Sequence, residues 1–173
     1  MNDYIAALLF FLPAGVANMI PPIANKIPVL NRWKTPLDFG KTWHNKRLLG
    51  ANKTWRGLVS GTLAGGLTAL LVSKLNTNTI VTLAPFLVGC LLGLGALLGD
   101  AAESFIKRQY GFKPGRSWFP FDQVDYILGG LLIIVPIVRL PLWAGFTILF
   151  VYFGLHLLTA YIGYLLKFKD SPI

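Results

Sequence analysis

The chain has 173 residues, of which 54% are hydrophobic, and its mean hydropathy is +0.60. This composition carries more apolar surface than a soluble domain of the same length buries, which excludes an ordinary soluble protein. The net charge of +9 would suit either a nucleic-acid partner or cations that flank membrane helices. The positions of those cations decide between the two interpretations.

Long apolar runs predict an all-α integral membrane protein, because a helix needs about 20 apolar residues to cross a hydrocarbon core of about 30 Å. About five transmembrane helices are expected, at 4–23, 57–73, 80–105, 123–139 and 142–166. Since the chain has no repeat, low-complexity tract or linker, residues 1–173 are predicted to form a single membrane domain. Two long loops, at about 24–56 and 106–122, hold most of the polar residues and are expected to carry the function.

Fourteen of the sixteen Lys and Arg residues lie in the two long loops or the C-terminal tail, and only Lys74 and Arg139 lie at the opposite helix ends. Cytoplasmic loops of membrane proteins carry such an excess of cations. The N-terminus is therefore predicted outside and the C-terminus in the cytoplasm, in a multi-pass protein of the cell membrane with its active site on the cytoplasmic side. This distribution explains the net charge without a nucleic-acid partner, and none is expected.

The first predicted helix, 4–23, begins without a basic segment and ends at Pro21 and Pro22 with no small-residue cleavage site. These features are unlike a removable signal peptide, so a retained helix is expected. The loop that follows mixes Trp33 and Trp43 with cations, as a segment at the level of the lipid headgroups would.

The first loop ends in a basic stretch, residues 46–57, that leads directly into the second helix. Backbone amides and cations before a helix N-terminus favour an anion, so a nucleotide triphosphate would fit there. The stretch lacks the Gly-x-x-x-x-Gly-Lys-Ser/Thr pattern, which argues against a P-loop ATPase. A loop that only binds anionic headgroups would have a similar composition. The candidate anion ligands in this stretch are Lys46, Asn52, Lys53, Thr54 and Arg56.

The second and third predicted helices are rich in glycine, a residue that lets neighbouring membrane helices approach closely. Helix packing is the expected role of Gly61, Gly65, Gly66, Gly89, Gly93, Gly95 and Gly99. Cys90, the single cysteine, lies in the third helix. A lone cysteine allows neither an intrachain disulfide nor a thiolate metal cluster.

Four of the seven acidic residues, Asp100, Glu103, Asp122 and Asp125, lie close together around the third loop. Asp100, Glu103 and Lys107 are spaced i, i+3 and i+7, which places them on one face of a helix. Asp122 and Asp125 are spaced i, i+3 at the start of the fourth helix, where the helix dipole favours anions. Two helix ends are thus predicted to present paired carboxylates.

These carboxylates could simply form ion pairs with the basic residues of the third loop, as in many soluble proteins. Asp100, however, follows an unbroken apolar stretch, and an ionisable group at that depth costs several kcal/mol unless it has a partner or a task. Carboxylates without a Cys or His cluster suit a hard divalent cation, Mg²⁺ before Mn²⁺, and disfavour zinc. His44 and His156 lie in different environments and are expected to be structural.

The third loop and its flanks resemble the signature of the CTP-dependent phosphatidate cytidylyltransferases. The matching residues are 99–108, Lys113, Gly115 and 120–125. Two positions depart from the bacterial pattern: its Pro-Gly-His-Gly-Gly segment is contracted to Pro120-Phe121, and the aspartate after the third-loop lysine is Pro114. No role is carried over for those groups.

A second element, Lys53-Thr54-Trp55 with Gly57, resembles another part of the same superfamily. The small size is similar to that of its archaeal branch, the CDP-archaeol synthases. The resemblance covers most of the chain.

The resemblance implies a Mg²⁺-dependent reaction in which an oxygen of a lipid phosphate attacks the α-phosphorus of CTP. In the archaeal branch this substrate is a polyprenyl ether lipid phosphate, 2,3-bis-O-(geranylgeranyl)-sn-glycerol 1-phosphate, drawn from the membrane lipids, and the products are CDP-archaeol and pyrophosphate. The implied metal ligands are Asp100, Asp122 and Asp125, which together with Lys107 form the implied catalytic set. The implied ligands of the nucleotide or the lipid phosphate are Lys53, Thr54, Lys107, Arg108 and Lys113, and Glu103 is expected among the cofactor-binding residues.

Three alternatives remain open at this point. A phosphatidate cytidylyltransferase that acts on ester lipids would share the same motifs. An ion-coupled transporter would also hold carboxylates in a membrane, but it favours charge near the midplane and often inverted repeats, whereas these polar groups cluster at one face. A noncatalytic lipid-binding protein explains the basic loop but not the four carboxylates beside it.

Overall fold

The computed structural model describes residues 2–75 and 83–165, and most of them are helical. The helices are α1 (Asp3–Ala24), α2 (Pro28–Asn31), α3 (Trp55–Leu75), α4 (Pro85–Gln109), α5 (Phe121–Ile134) and α6 (Leu142–Leu165). Two short strands, β1 (Thr42–Trp43) and β2 (Lys46–Arg47), form an antiparallel hairpin in the first loop. The predicted helical membrane architecture is confirmed, with this hairpin as a small addition.

Four of the described helices, α1, α3, α4 and α6, are long and apolar enough to cross a membrane. At about 1.5 Å per residue they extend for roughly 31 to 38 Å, which exceeds a hydrocarbon core of about 30 Å. Helix α5 has 14 residues and reaches only about 21 Å. The fourth predicted span, 123–139, is therefore present as a helix that is shorter than the other four.

Two helices end four or five residues away from the sequence-based bounds, and α4 also begins only at Pro85, after the described, non-helical residues 83–84. Helix α5 stops at Ile134 rather than 139, because Pro136 has no amide hydrogen with which to continue the helical ladder. Helix α4 runs past 105 to Gln109, and Gly111, with a φ of 77°, adopts the left-handed conformation that ends it. The predicted residues 80–82 and 166 lie outside the described residues.

Glycines bring α4 into direct backbone contact with its neighbours, as predicted. A Cβ atom added to Gly65 of α3 would lie 2.6 Å from the carbonyl oxygen of Gly89 in α4. A Cβ atom on Gly95 would lie 2.6 Å from the carbonyl oxygen of Gly129 in α5. Since any side chain at these positions would separate the helices, α4 sits at the centre of the bundle between α3 and α5.

Buried tyrosines tie the remaining helices to this centre. The hydroxyl of Tyr126 in α5 donates to the carbonyl oxygen of Tyr152 in α6, at 3.2 Å. The hydroxyl of Tyr152 in turn donates to the carbonyl oxygen of Leu8 in α1, at 2.8 Å. These bonds satisfy polar groups that would otherwise be costly inside the apolar core, which includes Phe11 and Ile127.

The first loop is folded against the end of α4. The hairpin turns through His44 and Asn45, both with positive φ, as a tight two-residue hairpin requires. The ring of Trp43 stacks on that of Phe105 in α4, with centroids 5.6 Å apart and planes inclined by 13°. The ammonium of Lys46 donates to the carbonyl oxygen of Gln109 at the end of the same helix. The loop and the end of α4 therefore share one surface.

Candidate active site

Lys53 lies two residues before the start of α3, and short strand-like pairing fixes its backbone. The amide of Leu37 donates to the carbonyl oxygen of Lys53 at 2.8 Å, and the amide of Trp55 donates to that of Thr35 at 3.0 Å. The hydroxyl oxygen of Thr54 accepts from the amide of Gly57 at 3.2 Å and so caps the helix. The Lys53 side chain therefore leaves the backbone at a defined point beside α4.

Lys53 and Asp100 form an ion pair between the start of α3 and the C-terminal half of α4. Lys53 Nζ lies 2.5 Å from Asp100 Oδ2, and the two side chains are 22% and 28% exposed. Both groups can therefore still be reached by a ligand from solvent. The pair joins the predicted phosphate stretch to the predicted carboxylate cluster.

Asp100 and Asp125 line one cavity of about 550 Å³, which we name the carboxylate cavity. Their helices meet at this point, because a Cβ atom on Gly99 would overlap the carbonyl oxygen of Asp125. Glu103 and Asp122 also line this cavity. The structure therefore brings the acidic side chains from the two helix ends to one space.

Two of the four carboxylates, Glu103 and Asp122, form an ion-pair network with Lys107. Lys107 Nζ lies 2.8 Å from Asp122 Oδ1 and 3.4 Å from Glu103 Oε1, and all three residues line the carboxylate cavity. Asp122 Oδ2 accepts from the amide of Trp118 at 2.7 Å. Both oxygens of Asp122 are thus engaged, and this part of the cluster matches the ion-pair alternative.

A second cavity of about 880 Å³, which we name the amide cavity, lies between α1, α3 and the first loop. It shares Ala51, Asn52, Lys53 and Asp100 with the carboxylate cavity, so the two spaces meet at the Lys53–Asp100 pair. Among the described residues that line the amide cavity, Asp100 is the single carboxylate. The other polar side chains that line it are Asn18, Asn25, Asn31, Lys34, Asn52, Lys53, Thr54 and Arg56. The amide cavity is therefore suited to an anion.

Arg56 is buried in the wall of the amide cavity and binds neutral acceptors. Its guanidinium donates to Asn25 Oδ1 at 2.8 Å, to Asn31 Oδ1 at 3.3 Å and to the carbonyl oxygen of Leu30 at 3.4 Å. None of these partners cancels its charge. Arg56 therefore links α1, α2 and α3 and keeps a positive charge at the cavity.

The other predicted phosphate ligands are distributed unevenly. Asn52 lines both cavities, and Arg108 lines the carboxylate cavity while donating to the carbonyl oxygen of Lys113 at 3.3 Å. Lys46 and Lys113, both described, line neither cavity. The structure therefore does not bring Lys46 and Lys113 to the shared site.

Sequence reasoning missed several residues at the two cavities. His156 of α6, expected to be structural, lines the carboxylate cavity with its ring centroid 5.7 Å from that of Tyr126. Gln123 is buried there, and its Oε1 has no hydrogen-bond partner among the described residues. Asn18 lines the amide cavity. Its signal in the sequence was a polar residue that interrupts an apolar run just before Pro21.

The donor set fits a magnesium ion that a substrate helps to hold. Within 2–75 and 83–165, no three His, Cys, Asp or Glu residues group closely enough to hold a metal by themselves. Mg²⁺ commonly takes only one or two carboxylates and completes its shell with water and substrate phosphates. Asp100 and Asp125 supply two such carboxylates, whereas both oxygens of Asp122 already have partners.

Comparison with known proteins identifies the family. A family model for CDP-archaeol synthase matches residues 1–173. The CDP-archaeol synthase of Pyrococcus furiosus is 33% identical over 173 residues and is covered, like this chain, to 99%. That of Archaeoglobus fulgidus is 38% identical over 164 residues, with 86% of this chain and 89% of the relative covered. The chain belongs to the CDP-archaeol synthase family.

A solved structure of an intramembrane enzyme of archaeal membrane lipid biosynthesis has the same fold as this CDP-archaeol synthase family member. The TM-score is 0.73 at 30% identity, and the likeness covers 90% of this chain and 92% of the other. The protein is accordingly a multi-pass membrane enzyme and a CTP-using cytidylyltransferase of archaeal lipid synthesis.

Proposed function

We propose that the protein transfers CMP from CTP to 2,3-bis-O-(geranylgeranyl)-sn-glycerol 1-phosphate and releases pyrophosphate. A phosphate oxygen of the lipid attacks the α-phosphorus of CTP, and the bond from that phosphorus to the oxygen bridging to the β-phosphate breaks. The observation that supports this proposal is the junction of two polar cavities at Lys53 and Asp100. A reaction between two phosphate-bearing substrates needs such a shared point.

Repulsion between the two anionic substrates is the main barrier, and the cations of the site counter it. Lys53 stands at the junction, Arg56 lines the amide cavity, and Lys107 and Arg108 line the carboxylate cavity. In phosphoryl-type transfer, catalysis consists mostly of positioning and charge stabilisation rather than covalent chemistry. A phosphate monoester is already a nucleophile at neutral pH, so no general base is required.

Asp100 and Asp125 are the proposed ligands of Mg²⁺, with Mn²⁺ as a substitute. The ion, when bound, would neutralise charge on the triphosphate and orient it. Asp122, assigned to the metal from the sequence, is proposed instead to hold Lys107 in place, because Lys107 contacts one of its oxygens and the Trp118 amide contacts the other. Lys107 is then held where it can face substrate phosphate.

We also propose that the site faces the cytoplasm from within the cell membrane. The excess of Lys and Arg in the two long loops supports this orientation. Both cavities lie at the end of the bundle formed by the first loop and the end of α4. A water-soluble nucleotide and a lipid headgroup can meet at such a position.

The experiment uses the purified protein in detergent or liposomes with the ether lipid phosphate, Mg²⁺ and CTP labelled at either the α- or the γ-phosphate. Label from the α-position should enter the lipid phase, and label from the γ-position should appear only in pyrophosphate. A chelator should stop both. Transfer of γ-label to lipid would indicate a kinase and refute the proposal, as would the absence of any labelled lipid. Preference for a diacyl phosphatidate would favour the ester-lipid alternative.

A further inference from the structure

Asp38 is the one acidic residue of the first loop, and neither cavity includes it. Its side chain is fully buried and accepts four hydrogen bonds. Oδ1 accepts from the guanidinium of Arg47 at 2.7 Å and from the amide of Gly40 at 2.9 Å. Oδ2 accepts from the amides of Leu49 and Gly50 at 3.0 and 3.1 Å. All four of these hydrogen-bond donors belong to the first loop, so the buried carboxylate stabilises the conformation of that loop.

Consecutive residues hold both ends of the segment from Leu49 to Lys53. The side chain of Asp38 binds the amides of Leu49 and Gly50 at one end. The amide of Leu37 binds the carbonyl oxygen of Lys53 at the other end. Gly50, with a φ of 93°, turns the chain between them. The course of the whole segment is therefore fixed from residues 37 and 38.

This segment carries the residues that the two cavities share. Ala51, Asn52 and Lys53 line both spaces. Lys53 crosses to α4 and binds Asp100. A change in how the segment is held would therefore displace the Lys53 ammonium relative to Asp100.

We infer that Asp38 is a positioning residue: it holds the Leu49–Lys53 segment so that Asn52 and Lys53 face Asp100 where the two cavities meet. Charge-assisted hydrogen bonds to a carboxylate are shorter and stronger than neutral ones, which suits this task. In Asp38→Asn, the side-chain NH₂ group would replace one carboxylate oxygen. It would then face the backbone amides or the Arg47 guanidinium, which are also hydrogen-bond donors. The consequence for catalysis rests on the proposed function, whereas the geometric part does not.

The geometric part can be measured without any substrate. In a Cys90→Ser background, Lys53→Cys and Asp100→Cys place one thiol on each side of the junction, and a short bifunctional thiol reagent should link them. Adding Asp38→Asn should lower the crosslinking yield several-fold. Adding Asp3→Asn, a matched change at an exposed acid in α1, should leave the yield unchanged. An unchanged yield with Asp38→Asn would overturn the inference.

The catalytic part needs a double-mutant cycle in kcat/KM, measured per folded molecule. Asp38→Asn alone should lower kcat/KM by up to about 10²-fold, as small displacements of a catalytic group do. In a Lys53→Ala background, Asp38→Asn should lower kcat/KM little further, because the ammonium that Asp38 positions is already absent. Equal effects in the two backgrounds would mean that Asp38 merely stabilises the fold.

Two further outcomes are distinguishable. If no variant, the wild type included, transfers CMP but Asp38→Asn still lowers the crosslinking, the proposed function fails and the positioning role stands. If Asp38→Asn does not insert or fold, Arg47→Gln removes one of the four bonds and is tested by both readouts, with a smaller drop expected in each. Full crosslinking and full kcat/KM in Arg47→Gln would then overturn the inference.

Discussion

Lys53 and Asp100, 47 residues apart in sequence, meet at 2.5 Å where the amide and carboxylate cavities join. Each would serve a different partner during the reaction, since the ammonium suits phosphate and the carboxylate suits Mg²⁺. Without substrate, each neutralises the other, and neither charge is left uncompensated at the edge of an apolar bundle. The ion pair therefore holds a cation and a carboxylate side by side at the junction of the two cavities without leaving a net charge there.

Asp100→Asn is expected to abolish turnover while leaving the protein folded. The substitution keeps the side-chain volume and removes a negative charge from the proposed metal site, so a loss of at least about 10²-fold in kcat is expected. CTP incorporation into lipid and the thermal unfolding midpoint in detergent measure the two effects. Asp3→Asn is the control and should retain activity. Wild-type turnover in Asp100→Asn would remove Asp100 from the metal site.

Gly99→Ala tests the contact between α4 and α5. A Cβ atom at Gly99 would overlap the carbonyl oxygen of Asp125, so the helices must move apart. Overpacking of this kind lowers the free energy of unfolding by about 1–3 kcal/mol. The rate of CMP transfer per folded molecule should also fall, because Asp100 and Asp125 would move apart. At Gly154 of α6 an added Cβ meets nothing within 4 Å. Gly154→Ala should therefore leave the unfolding midpoint and activity unchanged, and an equal effect at both positions would contradict this account.

Periodicity explains why much of the site could be predicted. The i, i+3, i+7 spacing places Asp100, Glu103 and Lys107 on one helical face whatever the rest of the fold does. The glycines of α3 and α4 likewise indicated close helix packing, which backbone contacts such as that of Gly65 with Gly89 confirm. Local rules of this kind need no knowledge of tertiary structure.

Contacts between distant segments could not be predicted in this way. Asn25 and Asn31 both line the amide cavity and accept from Arg56, and nothing in their sequence spacing indicates this contact. Asp38 has its role through the amides of Leu49 and Gly50, eleven and twelve residues away. Loop geometry depends on such specific pairs, which composition and hydropathy do not encode.

Asp122 and Asp125 should differ in their response to magnesium. Asp125→Asn would remove a proposed metal ligand and raise the Mg²⁺ concentration needed for half-maximal activity. Asp122→Asn would weaken the contact with Lys107 and should lower the unfolding midpoint and kcat with a smaller change in the Mg²⁺ requirement. A magnesium titration of CMP transfer in the two variants separates these effects. An equal rise in the requirement would restore Asp122 as a metal ligand.

The orientation in the membrane can be tested by thiol labelling in a Cys90→Ser background. Phe39→Cys replaces an exposed side chain of the first loop, and Lys74→Cys replaces one at the opposite end of α3. A membrane-impermeant maleimide should label Phe39→Cys only in inverted vesicles and Lys74→Cys only in intact cells. The reverse pattern would place the site outside.

The pKa of Asp38 predicts how stability depends on pH. Burial alone would raise this pKa, but hydrogen bonds from Arg47 and from the amides of Leu49, Gly40 and Gly50 outweigh it and lower the pKa from 3.8 to about 2. Because the folded value lies below the unfolded one, the ionised carboxylate stabilises the fold above pH 3.8, and this contribution is lost as the pH falls toward about 2. A shift of this size corresponds to about 2 kcal/mol.

Thermal unfolding of wild type and Asp38→Asn across this pH range measures that contribution. Wild type should have the larger free energy of unfolding near pH 6, and its advantage over Asp38→Asn should shrink by about 2 kcal/mol toward pH 2. The other carboxylates titrate in both proteins, so the difference between the two isolates Asp38. A difference that stays constant with pH would show that the stabilisation does not come from the charge of this carboxylate.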